Sequence, residues 1–92
     1  MSTPKTKGTD PRVLGGLCLA FMTEQPEELG HFMSVTGYTP SALRAGLHSR
    51  DLAHALIDYV ASHEPLLLAV CETGAISPEE FMRAWAKLNP AG

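Results

Sequence analysis

Three residues with acid–base or metal-binding side chains recur at helical spacing in the middle of the chain. Asp51, His54 and Asp58 are separated by three and then four residues, so a helix presents all three on one side. A histidine between two carboxylates suits half of a metal site or an oriented general base. One segment supplies all three, however, and the sequence has no H-E-x-x-H or C-x-x-C pair to complete a site. We therefore interpret them as the solvated side of a helix and predict no metal site.

The other candidate nucleophiles and bases lack partners in the sequence. His31 and His63 each stand alone near a predicted helix start, where surface or capping roles are typical. Cys71 lies in an apolar run that would raise the pKa of its thiol, so we expect an inert core cysteine. The chain has neither a G-x-S-x-G motif nor a glycine-rich phosphate loop. We predict no catalytic residue, no cofactor and no enzymatic activity.

Composition limits the class of protein. With 92 residues, 45% of them hydrophobic, the chain fits one small domain with a modest core. The net charge of −3 argues against broad phosphate contact, so nucleic acid is not an expected partner. Cys18 and Cys71 lie inside apolar runs, as reduced cysteines of cytoplasmic proteins do, with a disulfide between two helices as the alternative.

The amino terminus imitates a signal peptide, because basic residues precede an apolar segment over residues 13–22. No small-x-small cleavage pattern follows that segment, which is also too short to cross a bilayer as a helix. We predict a disordered tail over residues 1–9 and a single helical domain over residues 10–90, without a membrane partner.

Helix start and stop signals divide the rest of the chain into about six helices, and no segment alternates with the period of a strand. The predicted helices run from Pro11 to about Glu24, from Pro26 to Gly37, from Pro40 through the inward-facing Leu43 and Leu47, from Arg50 to Ser62, from Pro65 to Gly74, and from Pro78 to just before Pro90. The fold class is therefore all-α. Gly15 and Gly16 inside the first helix each cost about 1 kcal/mol relative to alanine, so we expect a close helix contact there.

Residues 26–47 and 65–88 carry the same order of signals: proline start, glycine stop, capping Thr or Ser, then proline again. This order predicts two helix-turn-helix-like hairpins, explained either by a true repeat or by the usual caps of any helical hairpin. Because residues 66–71 are apolar without interruption, we expect the helix ending at Gly74 to be the buried central helix. The first hairpin should then face solvent or a partner.

The turn over residues 36–44 resembles that of a DNA-binding helix-turn-helix. Arg44, His48 and Arg50 are the DNA contacts that this alternative predicts. An ordinary helical hairpin is the competing interpretation, and it is favoured by the acidic net charge.

Four segments resemble a family of short bacterial proteins known as a domain of unknown function: QPEELG at 25–30, TGYTP at 36–40, LIDYV at 56–60 and EPLLLA at 64–69. The resemblance extends over about residues 13–90. It implies a small cytosolic all-helical protein with no assigned activity, cofactor or partner, and it provides no catalytic residue.

Small size, missing catalytic motifs and abundant Met and aromatic residues together favour a protein that binds another protein or itself. We predict that an interhelical groove or an apolar strip including Met33, Tyr38 or Met82 forms the contact surface. DNA binding through the first hairpin is the alternative.

Overall fold

The computed structural model describes residues 10–47 and 49–90, which form six α-helices. They are α1 (Pro11–Thr23), α2 (Pro26–Thr36), α3 (Pro40–Ala45), α4 (Arg50–Ala61), α5 (Glu64–Gly74) and α6 (Pro78–Leu88). No strand occurs in these two ranges, so the all-α prediction is confirmed. The tail predicted over residues 1–9 and the candidate DNA contact His48 lie outside the described residues.

Local capping chemistry sets most helix ends where the sequence predicts them. A side-chain oxygen accepts a hydrogen bond from a first-turn backbone N–H at four helix starts, with Asp10, Thr39, Ser49 and Ser77 as the caps. Gly37 closes α2 in the left-handed region, with φ of 84°, as its position after the last helical residue predicts. Capping depends on neighbours in the chain, so these boundaries are readable from the sequence.

The end of α5 differs from the prediction by one residue. Gly74 is still helical, and Ala75 takes the left-handed conformation, with φ of 56°. A Cβ on Gly74 would lie 3.0 Å from Cδ1 of Leu17, so the missing side chain lets α5 approach α1 closely. The left-handed residue after α5 is thus Ala75, although glycine adopts this backbone conformation at a lower free-energy cost.

The bundle is centred on α4, whereas the predicted central helix, α5, keeps one side exposed. α4 packs against α1, α5 and α6. Its buried residues are Leu52, Ala53, Leu56, Ile57, Tyr59 and Val60. Within the apolar run of α5, Leu68 is 49% exposed. An unbroken apolar run shows that a helix can be buried but not how many neighbours surround it.

The two adjacent glycines of α1 have different surroundings. Gly15 is buried against α4, where an added Cβ would lie 2.8 Å from Cα of Ala53, so the predicted close contact exists at this residue. Gly16 is exposed, and an added Cβ would meet no atom of the described residues within 4 Å. The expectation that Leu47 points inward is wrong, because α3 ends at Ala45 and Leu47 is 51% exposed in the turn that follows.

Candidate functional site

An apolar groove lies between α1 and the segment formed by α2, α3 and the turn after α3. Two adjoining clefts of about 250 and 390 Å³ make up this α1–α3 groove, and they share Leu19, Thr23 and Leu47 as lining residues. The remaining lining residues are Arg12, Val13, Gly16 and Ala20 of α1, Leu29 and Met33 of α2, and Pro40, Leu43 and Arg44 of α3. The fold thus brings apolar side chains from three helices to one concave surface.

Two large apolar side chains at the α1–α3 groove remain in contact with solvent. Val13 is 59% exposed and Leu47 is 51% exposed. Leu19, Leu29 and Met33 are only partly buried where they pack against the core. Contiguous exposed apolar surface with a concave shape is typical of a binding site for another molecule.

The charged side chains of the groove are both basic. Among the described residues that line the two clefts, Arg12 and Arg44 are the only charged ones, and each lines a different cleft. Arg12 Nε is 3.9 Å from Asp10 Oδ1, and both side chains are more than half exposed, so this ion pair is weak. The chain as a whole carries a charge of −3, which makes the basic groove different from the rest of the protein.

Gly16 lies on the α1 side of the groove, and no described atom is within 4 Å of a Cβ added there. Gly16 sits in the interior of a helix, where glycine costs about 1 kcal/mol relative to alanine. Its neighbour one turn later, Ala20, is also small and exposed. The backbone of α1 is therefore accessible to close approach at this point.

A polar cluster connects α2, α4 and the start of α5. The Tyr59 hydroxyl donates to Glu28 Oε2 at 2.7 Å and lies 2.5 Å from His31 Nδ1. Because the hydroxyl has a single proton, His31 is the donor in the second hydrogen bond. His63 stacks on the Tyr59 ring with centroids 4.4 Å apart, and its Nδ1 donates to the Tyr59 carbonyl oxygen at 2.7 Å.

This polar cluster fits a structural role. Burial, with a smaller contribution from the Glu28 hydrogen bond, raises the pKa of Tyr59 to about 12. The phenol therefore keeps its proton at neutral pH and is a poor base. His31 and His63 stand apart in the sequence, yet the fold places them on one tyrosine. Two spacings in the sequence point to this cluster. His63 follows Tyr59 by four residues and His31 follows Glu28 by three, so each pair is about one helical turn apart.

Of Asp51, His54 and Asp58, the last two form hydrogen bonds with α6 or with the residue that follows it. Asp58 Oδ1 accepts a hydrogen bond from Trp85 Nε1 at 2.8 Å. His54 Nε2 lies 3.4 Å from Asn89 Oδ1, just beyond the end of α6. Asp51 is exposed in the first turn of α4, where a negative charge favours the helix dipole. Within residues 10–47 and 49–90, no three potential metal ligands converge.

The predicted interaction residues lie in three different settings. Met33 lines the α1–α3 groove. Tyr38 is half-buried and stacks on Phe32, with ring centroids 5.9 Å apart. Met82 is half-buried on α6 and packs against the core.

The predicted DNA contacts are also dispersed. Arg44 lines the groove, and Arg50 is the exposed first residue of α4. α3, which would be the recognition helix, has 6 residues and is about 9 Å long.

Both cysteines are free and buried. Burial, together with the nearby Cys71 thiol, raises the pKa of Cys18 to about 12. Burial also raises the pKa of Cys71. Neither thiol has the lowered pKa that a cysteine nucleophile needs.

These features define a small all-α protein with an apolar groove that carries two arginines. The chain belongs to a family described as "Protein of unknown function (DUF3572)", whose model matches residues 9–91. No curated protein and no solved structure matches it. None of the described helices is long and apolar enough to span a membrane.

Proposed function

We propose that this protein is a non-catalytic interaction module that binds an amphipathic helix of another protein in the α1–α3 groove. The observation that carries the proposal is the exposure of Val13 and Leu47 where they line the groove. A groove lined by partly exposed apolar side chains from packed helices suits the helix-in-groove mode of recognition.

The dimensions of the groove support a helical partner. Along α1 the lining residues extend from Arg12 to Thr23. At a rise of 1.5 Å per residue this distance is about 16 Å, or roughly three helical turns. A partner helix of that length is able to place apolar side chains on successive turns against Val13, Leu19 and Leu47.

Two alternatives have less support than a partner helix. A symmetric pair of copies joined through this groove would place the same arginines on both sides of one small contact. For DNA, α3 is short, and its Arg44 lies beside the apolar lining of the groove. The free cysteines support binding in a reducing compartment, so we place the function in the cytoplasm.

Site-specific photocrosslinking in cells that naturally contain the protein tests this proposal. A photoreactive amino acid replaces Leu47 in the groove or, as the control, Leu68 on α5, because these residues are 51% and 49% exposed. We expect a discrete crosslinked protein from position 47 and none from position 68. The additional change Val13→Asp should remove that product, because it places a charge in the apolar contact.

A product from position 47 that persists with Val13→Asp, or equal products from both positions, would contradict the proposal. Val13 is exposed in the first turn of α1, where aspartate is compatible with the helix dipole. Circular dichroism of the Val13→Asp variant should therefore match that of the unmodified protein.

A further inference from the structure

We infer that the helix bound in the α1–α3 groove has acidic side chains flanking its apolar face and a small residue where it crosses α1 at Gly16. This inference rests on the proposed function and specifies the chemistry of the partner. It depends on the charge of the groove and on the open space above one glycine.

Charge complementarity identifies the acidic side chains. Each of the two clefts contains one arginine, Arg12 in one and Arg44 in the other. No acidic residue is among the described residues that line either cleft. A partner with carboxylates at both ends of its contact is therefore attracted, whereas a basic helix meets Arg44 and an Arg12 whose charge the exposed Asp10 only partly offsets. The guanidinium groups are also suited to paired hydrogen bonds with carboxylates.

The open space at Gly16 identifies the crossing point. Gly15 is explained by its contact with Ala53, but among residues 10–47 and 49–90 no atom lies within 4 Å of a Cβ at Gly16. Ala20 is exposed one turn further along α1, in the same cleft. Small residues at a helix crossing shorten the distance between the axes, so a small partner residue opposite Gly16 permits the closest packing.

A second copy of this chain is the main competing occupant. Two copies that meet symmetrically through the groove place Arg12 and Arg44 of each copy in one contact, and this accumulation of positive charge opposes association. Sedimentation of the purified protein decides this point. A monomer at all concentrations is expected, and a dimer lost on Gly16→Leu would overturn the inference in favour of self-association.

Synthetic peptides test the charge of the partner directly. Two helical peptides of about 15 residues have the same apolar face, with an alanine at its centre. Glutamates flank this face in the first peptide, and lysines flank it in the second. Fluorescence anisotropy at low ionic strength should show about fivefold tighter binding of the glutamate peptide. Higher salt should reduce this preference. Arg44→Glu should abolish it, because the new carboxylate offsets Arg12, whereas Arg83→Glu on the exposed side of α6 should leave it unchanged.

Paired glycine substitutions test the crossing point. Gly16 and Gly30 are both exposed inside helices, and a Cβ on either meets no atom within 4 Å in the part of the chain that the structure describes. Of the two, Gly16 lines the groove. Gly16→Leu should weaken binding of the glutamate peptide at least about fivefold, because a bulky side chain separates the helices. Gly30→Leu should leave binding unchanged. Equal effects of the two substitutions would overturn the assigned crossing point.

The outcomes separate this inference from the proposed function. If both peptides bind equally and Val13→Asp weakens both, the groove binds helices but the acidic partner is wrong. If neither peptide binds while position 47 still yields its crosslinked protein, the assigned partner chemistry is also wrong. If neither peptide binds and position 47 gives no product, the proposed function itself fails.

Discussion

Gly15 of α1 and Ala53 of α4 meet with no room for an additional carbon atom. A Cβ on Gly15 would lie 2.8 Å from both Cα and Cβ of Ala53. Because Ala53 Cα belongs to the backbone of α4, it has no flexible end that can move aside. This contact sets how closely α1 approaches the helix at the centre of the bundle.

The two adjacent glycines of α1 should respond in opposite ways to alanine. Gly15→Ala should lower the free energy of unfolding by about 1–3 kcal/mol, because overpacking outweighs the gain in helix propensity. Gly16→Ala should raise it by about 0.5–1 kcal/mol, because its Cβ meets open space. Urea denaturation measures both changes. Destabilisation of similar size at both positions would contradict the asymmetry.

The residue after α5 offers a stabilising substitution. Ala75 holds a left-handed backbone, with φ of 56°, that glycine adopts more readily. Ala75→Gly should raise the thermal midpoint, with a gain of about 0.5–1 kcal/mol in the free energy of unfolding. Gly37→Ala is the matched control, since it places a side chain on a left-handed residue and should destabilise by a similar amount.

The Tyr59 hydroxyl should stabilise the contact between α2 and α4. Tyr59→Phe removes the hydrogen bonds to Glu28 and His31, and it should lower the free energy of unfolding by about 1–2 kcal/mol at neutral pH. Tyr38→Phe is the control, because the Tyr38 ring stacks on Phe32 and phenylalanine retains that contact. Chemical denaturation of the two variants should rank Tyr59→Phe as the less stable. Equal stability would show that solvent replaces the lost partners of Tyr59.

The raised pKa of Tyr59 also predicts a loss of stability at alkaline pH. Its pKa is raised from 10.0 to about 12 in the folded protein, so the unfolded chain releases the phenolic proton first. The resulting stabilisation is complete below pH 10.0 and is lost as the pH rises towards about 12. In the Tyr38→Phe variant Tyr59 is the remaining tyrosine, and the absorbance of its phenolate should show ionisation near pH 12. Ionisation near pH 10 while the protein is still folded would refute the prediction.

The buried cysteines should resist thiol reagents while the protein is folded. The raised pKa values of Cys18 and Cys71 leave almost no thiolate at neutral pH, and both side chains are shielded from solvent. A Leu68→Cys variant provides an exposed thiol as the internal standard. It should react with one equivalent of reagent at once, whereas the native cysteines should react only after denaturant is added. Rapid modification of all three thiols would show that the core opens readily.

The histidines show the limit of reasoning from the sequence about polar sites. Asp51, His54 and Asp58 share a helix side because their spacing requires it, but Asp58 is bonded to Trp85 of α6 and His54 to Asn89 just beyond the end of α6. His31 and His63 stand apart in the sequence and share Tyr59 in the fold. Spacing along one helix is a local property, whereas a shared partner depends on how helices pack.

The sequence by itself determined the helices, because caps, prolines and glycines act on backbone groups only a few residues away. Asp10, Thr39, Ser49 and Ser77 mark helix starts through such local hydrogen bonds. Only the tertiary structure decided that α4 lies at the centre, that Gly15 is buried while Gly16 is exposed, and that Leu47 borders a groove. These outcomes depend on which apolar faces meet. Several helices of one small chain offer such faces, so the choice is made by packing the whole bundle.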